Sequence, residues 1–403
     1  ELPNPKNYVP LNPEDANQLF RERKRDSYFA SKLFPLTSSS ALRVPELNTH
    51  TCAKVQGFLG RVVAPIIERR RFLKSKIVVK GDKYDLQQNA LKWLLVTCFG
   101  YTGYKNARFG RIEAHEAICA WAREILLTTI EAAQREGWVV LHAIVDCVWI
   151  YNPRINSKEE RVARAVDLSE RLTKEIGIPL EFEDIYDFIG FLPSRMHGSG
   201  SLTKYWAHGK NGLKLRGIEA RQHSTCAWIK KLQNEALGLI IEQYNKDSNL
   251  QSKHIQMRIV DMFQDQLKKL NRNKIPMRDL VITKRVSKRI EDFKVNTETK
   301  CALLRAKALG QKIPPGRKVN FVVTKGNSNS LKSRVLLAEE LGFYQNVVPN
   351  IPHYTGLAKR AIWAILGPFG WSDEEILSGK KFTTLFDFFN PLVSQSAMDD
   401  SAC

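Results

Sequence analysis

Cysteine is sparse and scattered. The seven residues at positions 52, 98, 119, 147, 226, 301 and 403 include no CxxC pair, so neither a zinc knuckle nor a disulfide framework is indicated, and a reducing cytosol fits. No apolar run reaches the roughly 18 residues of a membrane-spanning helix, and no basic amphipathic anchor is evident. Position 1 is Glu and no signal-peptide pattern follows, so the chain is expected to begin inside a longer ancestral architecture. Acidic residues are also in short supply. There are 42 Asp and Glu against 62 Lys and Arg, a formal charge of +20 and a pI near 9.6, which implies a polyanionic partner, most simply nucleic acid. An anionic membrane surface is the alternative, and the missing span and anchor disfavour it. What is present suffices for two or three domains: 403 residues, 43% of them hydrophobic, can fill real cores.

The first residues, ELPNPKNYVPLNPED, are rich in Pro and Asn and read as an extended lead-in ahead of the basic RERKR at 21 to 25. Helical periodicity runs from Val62 to Lys76 and places Arg70 and Lys74 one turn apart on one face. A second helix, DLQQNALKWLLVTCFG, follows the turn GDK, so a helical hairpin carrying cations is expected. Residues 113 to 135 are helical in pattern. GWVVLHAIVDCVWIYN then reads as one long central strand with Asp146 in its middle. A helix at 158 to 175, a strand-like PLEFEDIYDFIGFLP, a Gly-, His- and Lys-rich hairpin at 195 to 216 and long helices over 226 to 270 complete this part. From about Arg272 the composition turns basic and polar, which suggests a separate carboxy-terminal module and a duplex-gripping surface.

Three stretches, in order, resemble the B-family DNA polymerases, and the likeness runs from about Leu33 to Phe389. ALKWLLVTCFGYTGYKNARFG at 90 to 110 is similar to the fingers motif RQxALKxxxNSxYG. GWVVLHAIVDCVWI stands in the place of the palm strand ending in YxDTDS, and LRGIEARQHSTCAWIKKLQ at 215 to 233 is similar to KGIExxRRDxxxxxKxxQ at the border of the thumb. PSRMHGSGSLTKYW and LVITKRVSKRI look like archaeal members in particular. The resemblance implies an α+β right-hand architecture: an antiparallel-sheet palm, two-helix fingers and a mixed thumb, without the exonuclease domain. The implied segments are 1–57 for the lead-in and first palm piece, 58–108 for fingers, 109–271 for palm and thumb border, 272–380 for thumb and 381–403 for a tail.

In that family two palm aspartates hold two Mg²⁺ ions about 3.5 to 4 Å apart, one for the primer 3′-hydroxyl and one for the leaving pyrophosphate. Laid on YxDTDS, this chain has Ile144 and Val145 and keeps only Asp146, which looks like the survivor of the pair; a hydrogen-bonded structural Asp is the rival reading. Laid on DxxSLYP, FASKLFP puts Phe29 at the aspartate position, with Asp26 recruitable only by a shifted register. The resemblance assigns Arg70, Lys74 and Lys92 to the incoming triphosphate, where Arg and Lys suit phosphate oxygens, and Phe34 to screening the ribose 2′-hydroxyl. Without it, the cations read as a solvated face and Phe34 as a core aromatic. Arg216, Arg221 and Lys230, with Lys284 and Arg285, would grip the primer-template backbone. TLFDFF at 384 to 389 resembles the clamp-binding QxxLxxFF, with Leu385, Phe388 and Phe389 filling a pocket of a PCNA-type sliding clamp and Phe382 where Gln is expected.

The expectation is an inactive or strongly impaired family B paralogue that binds primer-template DNA, and nucleotide with it, in replication or repair. No cofactor is expected to bind tightly. Two alternatives stay open: an active or partner-dependent polymerase subunit that uses Mg²⁺, with Asp146 joined by a carboxylate from Asp26 or a second subunit, and a basic nucleic-acid scaffold with no triphosphate site. In any of these readings a second polypeptide could supply the exonuclease and amino-terminal domains. No membrane association is expected, and an archaeal origin would place the protein in the cytoplasm at the nucleoid.

Overall fold

The computed structural model describes residues 41–47, 50–52, 57–80, 82–194, 200–326, 330–344 and 347–381. The expectations for Asp26, Phe29, Phe34, Leu385, Phe388 and Phe389 fall outside them. The chain divides into two compact units, Glu1–Glu183 and Asp184–Cys403.

The first unit opens with an antiparallel pair, β1 (Ala41–Arg43) and β2 (His50–Cys52). Helices α1 (Phe58–Lys80) and α2 (Asp82–Thr102) follow, with one residue between them, and pack along each other as a hairpin. The seam is drawn by the helical repeat. Leu59, Val63, Ile66, Arg70 and Leu73 on α1, and Tyr84, Gln88, Leu91, Leu95, Cys98 and Thr102 on α2, are sheltered positions that recur every three or four residues. Helix α3 (Ile112–Arg135) lies against a β-hairpin of β3 (Val139–Ile144) and β4 (Cys147–Tyr151), and α4 (Lys158–Ile176) completes a small core with Trp138, Ile155, Leu168 and Leu172.

That hairpin corrects the single central strand expected over GWVVLHAIVDCVWI. The run folds back at Val145-Asp146, with Ile144 opposite Cys147 and His142 opposite Trp149, and Leu141 is bulged out of register. Asp146 is therefore an exposed turn residue and not a mid-strand one. Folding back lets the short strands turn His142 and Trp149 inward from both sides while the carboxylate stays in water. The turn is tight, and Val145 takes φ 53°, a left-handed conformation that β-branched residues rarely adopt.

Among the described residues the second unit has two antiparallel three-stranded sheets. One is β5 (Tyr186–Pro193), β6 (Gly200–Gly209) and β7 (Gly212–Arg216), in that order. Within PLEFEDIYDFIGFLP the strand starts only at Tyr186, after the acidic run. The other sheet has β9 (Lys318–Val323) between β8 (Ile282–Arg285) and β10 (Val335–Leu337). Between and around them lie α5 (Ala227–Asp247), α6 (Lys253–Asn271), α7 (Glu298–Ala308), α8 (Ile351–Leu366) and the short α9 (Asp373–Ser378). One hydrophobic core unites them, from Leu192 through Ile240, Phe263 and Phe321 to Ile376. The change of composition at Arg272 is thus not a boundary of packing.

Side-chain ties hold this unit at named points. The buried Tyr354 hydroxyl on α8 donates to Leu280 O at 2.8 Å and accepts from Val323 N at 3.0 Å, and burial pushes its pKa upward. Trp206 Nε1 on β6 donates to Ala364 O at 3.0 Å. Arg305 grips Glu340 with two bonds, at 2.5 and 2.8 Å.

Candidate DNA-binding and nucleotide-binding sites

In the second unit the segment 215–233 turns out of β7 through a constrained corner. Gly217 has φ 64°, and a Cβ there would meet Thr203 O at 2.4 Å, so only glycine fits. Ile218 is then buried, Glu219–Arg221 form a single 3₁₀ turn, and Gln222 Nε2 donates back to Gly217 O at 3.3 Å. The organiser is Gln233 on α5, which is wholly buried. Its Oε1 accepts from Ala220 N at 2.5 Å, and its Nε2 donates to Glu219 Oε2 at 3.0 Å and to Ala361 O of α8 at 2.8 Å. One amide thereby fixes the turn to two helices.

Beside this segment lies a cleft of about 780 Å³, lined by Gly217, Glu219 and Gln222, the start of α5, Lys284 of β8 and one face of α8. Among the described residues its cations are Lys204, Lys284 and Arg360, and its acids Glu219 and Glu298. His353 also lines it. Burial lowers the His353 pKa, Glu298 pulls the other way, and Arg360 and Lys284 add to the lowering, so the imidazole is neutral at neutral pH. Cys226 caps α5 at the cleft wall, and burial pushes its thiol up to about 11, which leaves it an inert thiol.

The basic residues expected to hold a nucleic-acid backbone divide around this cleft. Arg216 ends β7 opposite Tyr205, and Arg221 closes the 3₁₀ turn; both are exposed. Lys230 is half-buried on the first turn of α5. Lys284 and Arg285 are neighbours on β8, so their side chains leave opposite faces of the strand: Lys284 lines the cleft, and Arg285 Nε donates to Gly316 O at 3.1 Å. Lys204 and Arg360 had no sequence signal of their own, because only the fold brings them to Lys284.

In the first unit, Arg70 and Lys92 each stand eleven residues from the residue joining α1 to α2, so they lie level across the hairpin. Because the helices are antiparallel, Lys74 on α1 and Lys92, Val96 and Phe99 on α2 rotate to the same flank of the seam. Arg70 sits at the seam itself, with its Nε buried and without a hydrogen-bond partner. Lys74 and Lys92 are exposed, and Lys74 Nζ reaches Glu181 Oε2 at 3.4 Å in an exposed pair worth little. Phe99 stacks on His115 at 4.5 Å.

Asp146 stands alone at the tip of the β3–β4 turn, with Ile144 and Val145 as its predecessors. Among the described residues no three His, Cys, Asp or Glu side chains gather to hold a metal ion. One carboxylate beside Ile and Val does not supply the oxygen ligands that two divalent ions require, so the described residues do not fit a two-metal centre. A carboxylate that sequence reasoning passed over is Glu124, 1% exposed on the buried stripe Ala117, Ala120, Glu124, Thr128 of α3. That stripe was readable at helical spacing, with an acid on its apolar face.

The sequence profile of DNA polymerase family B matches residues 31–362. A DNA polymerase of Archaeoglobus fulgidus is 25% identical over 291 residues, 71% of this chain and 34% of that protein. DNA polymerase 2 of Aeropyrum pernix is 26% identical over 353 residues, 85% of this chain and 40% of that protein. The chain thus spans two fifths or less of the length of these relatives. Among solved structures, the family B DNA polymerase from the hyperthermophilic archaeon Pyrobaculum calidifontis aligns with a TM-score of 0.51 at 23% identity, over 81% of this chain and 40% of that one. That likeness is one of fold.

Proposed function

The chain belongs to DNA polymerase family B, and from that premise we propose that it holds primer-template DNA while its own nucleotidyl-transfer chemistry is lost or strongly impaired. The observation that carries this reading is the unequal state of two sites. Segment 215–233 is fully braced by Gln233 and borders a cleft with three cations, whereas the hairpin tip offers a single carboxylate between apolar neighbours.

Lys204, Lys284 and Arg360 would neutralise duplex phosphates from inside the cleft, with Arg216 and Arg221 at its border. The contact is sequence-independent, because it reads the backbone and not base edges. On the hairpin, Arg70, Lys74 and Lys92 are suited to nucleotide phosphates, and the unpartnered buried Nε of Arg70 favours a retained anion site there. Residues 381 to 390, through Leu385, Phe388 and Phe389, are assigned to a sliding-clamp pocket on the strength of TLFDFF alone.

The test is paired. Purified protein with Mg²⁺, deoxynucleotides and a labelled primer-template should give no extension, yet should bind the same DNA with an affinity that falls steeply as salt rises. Each phosphate contact contributes about 0.9 to the logarithmic salt slope, so Lys204→Glu, Lys284→Glu and Arg360→Glu together should flatten it by about 3. Extension at ordinary rates that Asp146→Ala abolishes would establish an active polymerase instead. An unchanged salt slope in the triple variant would remove the cleft from DNA binding.

A further inference from the structure

The flank of the α1–α2 hairpin that faces away from Lys74 and Lys92 carries different chemistry. Measured from the seam, Phe58, Val62, Arg69, Phe72 and Lys76 of α1 rotate to this side, and Leu94 and Tyr101 of α2 rotate to it as well. All are exposed: Phe72 and Leu94 by 48%, Tyr101 by 54%. Such a row of large apolar side chains in water is a liability unless something covers it.

The cations of this flank are placed on its rings. The Arg69 guanidinium lies 5.2 Å from the centre of the Phe72 ring, and Lys76 Nζ lies 5.3 Å from the same ring. Where the hairpin ends, Phe58 packs on Phe109 at 4.9 Å, Arg108 lies 5.4 Å from the Phe109 ring, and Tyr101 meets Tyr104 edge-on at 5.8 Å. The strip therefore alternates aromatic and cationic groups along the hairpin. The described carboxylates of the hairpin are turned elsewhere: Glu68 points away from the seam, and Asp85 is on the Lys92 side, where it accepts from Gln88 Nε2 and Asn89 Nδ2.

A strip of exposed rings interleaved with cations, with no acid among its described side chains, matches a polyanion that also offers flat π-faces. Duplex DNA offers the charge but hides its bases in the stack, and an apolar protein face would leave Arg69, Lys76 and Arg108 without counter-charges. We propose that this flank of the hairpin binds single-stranded nucleic acid, with bases stacked on Phe72 and Tyr101 and phosphates met by Arg69 and Lys76. This site is separate from the duplex-binding cleft of the second unit and stands or falls independently of it.

The experiment uses the full chain and two probes, fluorescein-labelled oligo-dT and a blunt duplex, in fluorescence anisotropy. Removing a stacking aromatic should weaken single-strand binding at least about fivefold, so Phe72→Ala with Tyr101→Ala should lower oligo-dT affinity by about 25-fold or more and change duplex affinity less than about twofold. Phe72→Trp, which keeps a ring for stacking, should bind oligo-dT at least as well as the parent. Both aromatics are solvent-exposed, and an unchanged melting profile for the double variant will show that the fold is intact. Lys204→Glu with Lys284→Glu and Arg360→Glu should show the converse pattern, with loss on the duplex. The proposal is overturned by an oligo-dT affinity that moves less than about twofold in the double variant, or by equal losses on both probes. It is equally overturned if oligo-dT binding persists while sedimentation shows that the substitutions dissolve a self-associated form, which would make the strip a protein interface.

Discussion

Replacing Gln233 by Leu keeps the volume of a wholly buried side chain and removes all of its polar atoms. Three partners each lose a bond. Ala220 N–H and Ala361 C=O lose bonds of 2.5 and 2.8 Å, and Glu219 loses a donor at 3.0 Å. The Ala220 N–H, left unpaired, costs about 1 to 3 kcal/mol; Ala361 C=O keeps its α-helical bond and the half-buried Glu219 turns in part to water, so each of these loses about 0.5 to 1 kcal/mol. The sum is about 2 to 5 kcal/mol, which for a unit of this size corresponds to a midpoint lowered by about 5 to 15 °C. The assay is thermal or denaturant unfolding followed by tryptophan fluorescence, with Trp206, Trp228, Trp363 and Trp371 reporting on the second unit. Duplex binding should weaken in parallel under conditions where the variant is still folded, because the 3₁₀ turn beside the cleft loses its brace. Gln233→Glu sharpens the test: it keeps an acceptor for Ala220 N–H but sets a second carboxylate against Glu219 and offers Ala361 O no donor. It should therefore be worse than Leu at neutral pH and improve as the pH falls through the carboxylate range. A Leu variant that melts with the parent protein would refute the bracing role.

Val145→Gly should stabilise the first unit by about 1 kcal/mol, because glycine adopts φ 53° without the penalty that valine carries; a loss of stability in denaturant titration would contradict the turn geometry. The second unit should lose stability on mild acidification. The folded-state pKa of His353 is lowered, by burial first, so its contribution is complete above the ordinary value of 6.5 and is lost as the pH falls through the lower folded value; His353→Gln should flatten that part of the unfolding-versus-pH curve. A second loss should follow at lower pH. Burial alone would raise the Glu340 pKa, but the Arg305 guanidinium and the Leu337 N–H hold it below 4.5, so its contribution is present above 4.5 and disappears as the pH falls through the folded value. Glu340→Gln should remove this second step.

The α1–α2 hairpin was legible because periodic burial needs only neighbours three and four residues away, and the order of the three family motifs brought the fold with it. The turn at Val145-Asp146 was not. Hairpin turns announce themselves with Gly or Asn, and here a β-branched residue takes the left-handed position, so the run reads as continuous strand. The composition shift at Arg272 was visible but misleading about packing, since it records the surface, while Leu280, Phe321 and Ile362 beyond it join the same core as Ile240. Gln233 lay inside a recognised motif without a role, because a polar residue on a helix looks solvated until its partner Ala361, 128 positions away, is placed. The cleft cations Lys204 and Arg360 were hidden for the same reason: their meeting with Lys284 exists only in three dimensions.

The bond from Gln233 to Ala361 also sets an order of events during synthesis. Segment 215–233 leaves the ribosome long before α8 exists, and until Ile351–Leu366 has emerged and docked, the amide that holds the 3₁₀ turn has no distant anchor. Contacts of such high sequence separation form late, after the local helices. A nascent chain stalled before Ile351 would therefore display the basic border residues without the shape that organises them. The growing polypeptide carries this positive charge loosely arranged until α8 has emerged, and only then are the basic border residues held in a defined arrangement.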